Sequence, residues 1–404
     1  MIKIFDFKSD RLHGLDHLRA LAIVLVMTHH YRLGMPTWLE PVGNIGWTGV
    51  DLFFVLSGYL MGYQLLKEIK GTNNISFKRF YLKRFFRIIP AYIVVLILYY
   101  SLENYKEGSG MPPLWKFLTF TQNFGLDVLH GKSFSHAWSL CIEEQFYLLL
   151  PITILIIFLF KIQSNAIYFI VGLIMIGFIL RLYNWHQHIQ PFIESGDDLK
   201  VLLGFLENIY YPSDNRMDGL LFGVSIAAIL NFKPKFMDYI SRYGNFVLLI
   251  GIGIFILAYN VCNHFLSFNT AIYGYTLVSF AYGLIVMAAL CPSCILYKLK
   301  SKTTFVIATL SYVVYLSHKQ LFHLVKLGTA NIGIDPQSTW LFWICLIIAG
   351  LGGLVLHLVI EKPFLQLRDK ILSKESFARN ESDRNLILNT IIVKNLGLFK
   401  KDMK

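Results

Sequence analysis

The sequence predicts an all-α, polytopic integral membrane helix bundle of about ten transmembrane helices with both termini in the cytoplasm. Three observations carry that expectation. Hydrophobic residues make up 55% of the 404 and charged residues only 15%, where a soluble domain carries about 25% charge. Apolar stretches repeatedly reach the roughly 20 residues needed to cross a bilayer. Lysine and arginine gather in alternate connections between those stretches, which is the pattern that orients membrane helices.

The predicted spans fall near residues 17–33, 47–66, 88–103, 139–160, 166–183, 217–231, 245–262, 271–291, 304–327 and 339–360. The basic connections hold Lys67, Lys70, Lys78, Arg79, Lys83, Arg84 and Arg87, then Lys233, Lys235 and Arg242, then Lys298, Lys300 and Lys302. Lys3, Lys8 and Arg11 precede the first span, and ten basic residues follow Glu361. The intervening connections are poor in positive charge, so both termini are placed in the cytoplasm. The net charge of +12 is therefore topological, and membrane lipid rather than nucleic acid is the expected partner. No small-residue cleavage site follows a hydrophobic run near Met1, so no cleavable signal peptide is expected. Residues 1–371 read as one membrane domain and 372–404 as a polar cytoplasmic tail. Cys141, Cys262, Cys291, Cys294 and Cys345 lie in or beside apolar stretches and read as buried thiols. Cys291 and Cys294 have metal-like spacing, but no second pair of ligands stands nearby. No metal is expected.

Polar groups inside such spans are costly, about 2.5–3.5 kcal/mol or more at the bilayer centre, and point to function. Here they sort into two layers. Arg19, Arg84 and Arg87 lie at cytoplasmic ends; Arg84 and Arg87, three apart, share a helix face and present forks matched to phosphate oxygens. The outer layer holds His29 and His30, Asp51 and Ser57, then Trp138, Ser139, Glu143 and Glu144, then Arg216, Asp218 and His318. Eleven residues separate Arg19 from His30, roughly 16 Å along a helix and about half of a bilayer core. A phosphate-binding layer inside and a histidine base with carboxylates outside suit group transfer from a cytosolic phosphorylated donor to an acceptor across the membrane.

Several ordered motifs sharpen this reading. They are Gly14-Leu15-Asp16-His17-Leu18-Arg19 through His30, Gly49-Val50-Asp51 through Ser57-Gly58, and Arg84-x-x-Arg87-x-x-Pro90. Trp138-Ser139-Leu140-x-x-Glu143-Glu144-Gln145-Phe146-Tyr147, Arg216-x-Asp218, Ser311-Tyr312-x-x-Tyr315-Leu316-x-His318 and Glu361-Lys362-Pro363-Phe364 follow. With them the chain resembles the membrane-bound acyltransferase 3 family, integral-membrane enzymes that O-acylate cell-surface glycans. The span-four motif departs from the family at Cys141, to which no catalytic role is assigned. Many relatives carry a C-terminal SGNH-type domain. This sequence ends about forty residues after its last predicted span, so the membrane domain is expected to meet its acceptor directly or through a separate partner.

The resemblance implies His30 as the catalytic histidine and Arg84 with Arg87 as the donor-side pair. The reading that follows is transfer of an acyl group, acetyl first, from acyl-coenzyme A to a hydroxyl of an extracytoplasmic saccharide or glycolipid. Arg19, Arg84 and Arg87 would bind the donor, and Glu143 or Glu144 would orient His30. Asp51, Ser57, Trp138, Ser139, Arg216, Asp218, Tyr315 and His318 would line the acceptor side or the cavity. A succinyl or other acyl group would use the same machinery. A proton-coupled transporter is the reading of another class; it predicts an inverted hydropathy repeat, and none is evident. The expected location is the inner or plasma membrane, and a homodimer is left open.

Overall fold

In the computed structural model the described residues are 12–374 apart from Ser109, Asn263 and Asn331. Every regular element among them is helical. Ten long helices dominate: α1 (His13–His30), α2 (Gly49–Thr72), α3 (Phe77–Ser101), α4 (Trp138–Leu159), α5 (Ala166–His188), α6 (Asp218–Phe232), α7 (Gly244–Val261), α8 (Tyr275–Ala289), α9 (Lys302–Ala330) and α10 (Thr339–Leu356). Each stretch expected to span the membrane falls on one of them. The expectations for Lys3, Lys8, Arg11 and the tail beyond Lys374 lie outside the described residues.

Among the described residues six helical stretches are long and apolar enough to cross a membrane. A seventh arises if α6 and the helix Pro234–Ser241, bent at 104° to it, form one span. The shortfall from ten has a chemical cause. Helix α1 carries Asp16, Arg19 and four histidines, α3 opens with five basic residues, and α9 carries His318, Lys319, His323 and Lys326. Two of these three, α1 and α9, are the helices whose polar groups matter most below.

The chain divides into two compact units: the described parts of residues 1–75 and 95–354, and those of 76–94 and 355–404. In the first unit α2 packs along α6, α7 along α8, and α1 along α9. The α2–α6 crossing is unusually close because glycine faces backbone. A Cβ on Gly58 would press into the backbone of Leu220, and one on Gly223 would press into that of Val55 and Tyr59. Gly219 and Gly223 form a small-xxx-small pair, the device that lets helices approach where lipid supplies no hydrophobic drive between them. In the second unit Arg87 Nη1 pairs with Glu361 Oε1 at 2.5 Å. The other oxygen of Glu361 meets His357 Nδ1 at 2.5 Å.

Local chain geometry sets two helix ends that matter later. Helix α1 stops at His30 because Tyr31 turns extended (φ −121°) while its N–H still closes on the Met27 carbonyl. The histidine pair thus closes the helix instead of standing midway along it. Helix α4 is preceded by the short turn Ser135–Ala137, entered through Phe134 in the left-handed region at φ 58°. Such a conformation costs about 1–3 kcal/mol in a non-glycine residue. Stacking of Phe134 on Tyr99, with ring centroids 4.6 Å apart, and a hydrogen bond from its N–H to Glu107 Oε1 hold it there.

The glycine contact predicts a clean stability contrast. Gly223→Val should lower the thermal midpoint of the detergent-solubilised protein by several degrees or abolish its monodisperse peak. Gly172→Val, at a position with nothing within 4 Å of the added Cβ, should leave both unchanged. Fluorescence-detected size exclusion after a temperature ramp reads the difference.

Candidate active site

His30 stands at the C-terminus of α1, where free carbonyls favour a cation. Its Nδ1 lies 2.8 Å from His318 Nε2 on α9, and the two rings stack with centroids 4.9 Å apart. The direction of that hydrogen bond follows from the far side of His318. His318 Nδ1 lies 2.8 Å from the Tyr315 carbonyl and 3.1 Å from that of Val314. A carbonyl oxygen can only accept, so His318 Nδ1 carries the proton and its Nε2 is an acceptor. His30 Nδ1 must then donate, and a neutral His30 keeps its lone pair on Nε2. His318 thus sets the tautomer of His30 and leaves its Nε2 free to accept a proton. His29 diverges from this pair: its Nδ1 faces Arg32 Nη2 at 3.2 Å.

A third imidazole completes the group. His136, in the turn before α4, lies edge-on to His318 with ring centroids 5.1 Å apart and 6.1 Å from His30. Tyr315 donates its hydroxyl to the His136 carbonyl. Having used its one proton, Tyr315 accepts from Ser139 Oγ at 2.7 Å. Thus His30, His318, Tyr315 and Ser139 come together as one site. Glu107 and Lys319 adjoin it, with Lys319 Nζ 3.5 Å from Glu107 Oε1. In the same connection, burial and the neighbouring Glu107 carboxylate push the Tyr105 phenol up to about 12.

The remaining outer-layer residues form separate pairs. Glu143 accepts from Ser57 Oγ at 3.0 Å and from Tyr147 at 3.1 Å; Glu144 beside it is half-buried. The contact partner of His30 is thus another histidine, and the carboxylate of Glu143 is engaged by hydroxyls. Asp51 pairs with Arg216 at 3.0 Å. The Arg216 guanidinium packs on the Tyr275 ring, 3.6 Å from its centroid, with Tyr210 and Trp138 at 4.9 and 5.5 Å. Asp218 does not pair with its sequence neighbour Arg216. It pairs with Arg181 at 2.6 Å, and its other oxygen accepts from Thr276. Both arginines are fully buried. Removing one partner of such a pair leaves an uncompensated charge, at about 3–5 kcal/mol.

The donor-side residues are distributed between the units. Arg19 is half-buried on α1 of the first unit; Arg84 and Arg87 lie on α3 in the second, where Arg87 meets Glu361. Cys291 and Cys294 are buried in an apolar cluster with Ala288. Among the described residues no group of histidine, cysteine or carboxylate side chains is arranged to hold a metal ion.

Sequence reasoning passed over four residues here. His136 stands two positions before the Trp138 motif, and Arg181 is a lone arginine within an apolar helix, itself a functional signal. Lys319, inside the expected span 304–327, carried the same signal; Glu107 did not, since only folding brings a loop carboxylate to α9.

Comparison with known proteins bears on the chemistry. The family described as "Acyltransferase domain" matches residues 12–359. The peptidoglycan O-acetyltransferase OatA of Listeria monocytogenes is 29% identical over 348 residues, covering 81% of this chain and 51% of the relative. The O-acetyltransferase OatA of Staphylococcus aureus (strain MRSA252) is 28% identical over 411 residues, covering 95% of this chain and 62% of the relative. The chain thus spans about half to three-fifths of the length of these relatives. No solved structure matches it. A family match over nearly all the described residues, joined to several membrane-crossing helices, makes this chain a member of the acyltransferase 3 family and a multi-pass protein of the cell membrane.

Proposed function

We propose that the protein is an O-acyltransferase that moves an acyl group, acetyl first, from a cytosolic coenzyme A thioester to a hydroxyl of an extracytoplasmic saccharide. The observation that carries this reading is the His318-fixed tautomer, which leaves His30 Nε2 ready to take a proton. A general base of this kind contributes about 10²–10⁴-fold in rate. The step balances simply. The acceptor O–H bond breaks and its proton goes to His30 Nε2, while the oxygen forms a bond to the acyl carbon. The carbon–sulfur bond then breaks, and the thiolate takes the proton back from His30. The name of the Listeria relative makes a cell-wall glycan the first acceptor to test.

The other residues take roles consistent with their surroundings. Arg84, Arg87 and Arg19 would bind the donor's phosphates, the forked arginines giving two-point contact that lysine lacks. Tyr315 and Ser139 would line the acceptor side beside His318. Glu143 and Glu144 keep a proposed place in the machinery, with Ser57 and Tyr147 fixing the Glu143 carboxylate. Asp51, Trp138, Arg216 and Asp218 would hold the cavity walls in register through their buried pairs. The ten-span topology with cytoplasmic termini belongs to this reading, since it puts the arginine layer on the side where the thioester is made.

Two measurements test it. With equal amounts of folded protein in proteoliposomes, acetyl-coenzyme A and a wall-glycan acceptor, His30→Ala should remove thiol release and product by at least about 10²-fold. His29→Ala should retain both, and parental activity in His30→Ala would remove the base from the account. Separately, Arg84→Lys and Arg87→Lys should insert and express normally while apparent affinity for the acyl donor falls by roughly tenfold, a loss of about 1.4 kcal/mol. Unchanged coenzyme A binding in both would make the pair a topological anchor only.

A further inference from the structure

Among the described residues His30 bonds to His318, a neutral imidazole, and the proposed reaction deposits a positive charge there. When His30 takes the acceptor's proton it becomes an imidazolium, bonded through Nδ1 to a neutral His318. Lys319 follows His318 in sequence and adds a cation to the same neighbourhood. Two like charges in a desolvated site oppose one another, so the site needs a negative charge within reach.

Glu107 supplies it. The residue lies in the connection between α3 and α4, in no long helix, yet its side chain is 10% exposed. Four groups fix it. Tyr99 donates to Oε2 at 2.7 Å, and the N–H of the left-handed Phe134 donates to Oε1 at 3.2 Å. Lys319 Nζ lies 3.5 Å from Oε1 and His136 Nδ1 lies 3.9 Å from it. His136 Nδ1 is itself buried without a hydrogen-bond partner. The opposite nitrogen of that ring, Nε2, sits 3.4 Å from the Leu316 carbonyl and must donate to it. A neutral His136 therefore turns a lone pair toward a carboxylate. A protonated one would turn a donor toward it. His136 stands between Glu107 and the His30–His318 pair as a ring ready to share the charge.

We propose that Glu107 is a positioning carboxylate for acyl transfer: through His136 it holds the three-histidine group in place, and it balances the positive charge that the group gains when His30 takes the acceptor's proton. Lys319 is its resting counter-ion, which keeps the site near neutrality between turnovers. This inference rests on the base role given to His30 above.

The test is a charge cycle on the full-length protein in proteoliposomes, measuring kcat and KM for both substrates. Glu107→Gln keeps the shape and removes the charge, leaving Lys319 uncompensated. At roughly 5–10 Å and an effective dielectric of about 20, the lost charge should lower kcat by about twentyfold to several hundredfold. KM for the acyl donor should stay within about twofold, because only the charge-separated state is affected. Glu107→Asp should keep most of the turnover. Glu107→Gln combined with Lys319→Met removes both charges and should recover at least about fivefold over Glu107→Gln alone, a coupling that independent sites do not show. A purely structural ion pair would recover its thermal midpoint together with kcat, so the midpoint is read beside it. Lowered kcat in Glu107→Gln with a parental midpoint marks the charge-balancing role, and a midpoint that falls and recovers in step with kcat marks a structural one. His136→Gln, which keeps a donor for Leu316, provides a second variant should Glu107→Gln fail to fold; it should lower kcat with KM unchanged. Parental kcat in either single variant, or no recovery in the double variant, overturns the inference. If His30→Ala also retains activity, the proposed function fails with it; if His30→Ala is inactive, only the role of Glu107 falls.

Discussion

The hydrogen bond from His30 Nδ1 to His318 Nε2 is the interaction on which the rest of the site depends. It joins the last residue of α1 to the middle of α9, and its direction is dictated by two carbonyls that belong to α9 itself. A histidine with two free nitrogens would populate both tautomers and offer a lone pair at either. Here the backbone of one helix chooses the tautomer of a residue on another. The helix end adds a second bias, because the carbonyls of the last turn favour the cation that would form if His30 is the proposed base. Under the proposed function, packing of α1 along α9 is therefore a chemical requirement as much as a structural one.

Everything around that bond reflects the expense of charge in a membrane. The buried arginines each have an acidic partner on a different segment of the chain: Arg181 with Asp218, and Arg216 with Asp51. Arg216 is further sandwiched among aromatic rings, which stabilise a guanidinium without adding charge. These pairs tie α2, α5 and α6 together across the tight glycine crossing of α2 on α6. Breaking one strands a charge, so they also discourage alternative helix registers. The histidine group solves the same problem differently. Its rings can be neutral at rest, and in the proposed reaction they would carry a proton only during the transfer.

Much of the fold was legible in the sequence because the membrane imposes a simple rule. A helix must be long and apolar to cross, so each expected span falls on a helix. The same rule is strained at the two helices that carry the histidine pair, both of which were expected as spans. His318 and Lys319 lower the apolarity of α9, and Asp16, Arg19 and the histidines lower that of α1, so neither reads as a plain crossing. At the site, His30 and His318 were visible as imidazoles at similar depth, and their mutual hydrogen bond was not. The adjacency of Arg216 and Asp218 suggested a shared role, whereas folding gives each its own partner. Arg216 lies in the turn before α6, at φ −129°, and so points away from Asp218, the first residue of the helix. Glu107 was out of reach, since it enters the site through a connection whose path depends on the left-handed turn at Phe134.

If His318 holds His30 as the Nε2 lone-pair tautomer, the two ring nitrogens of His30 differ in protonation. Nitrogen-15 NMR of histidine-labelled protein in lipid, with His30 assigned by comparison with His30→Gln, tests it directly. At a pH where the ring is neutral, His30 should show a protonated Nδ1 and an unprotonated Nε2, and this preference should be lost in His318→Ala. A protonated Nε2 on His30, or the same spectrum with and without His318, would contradict it.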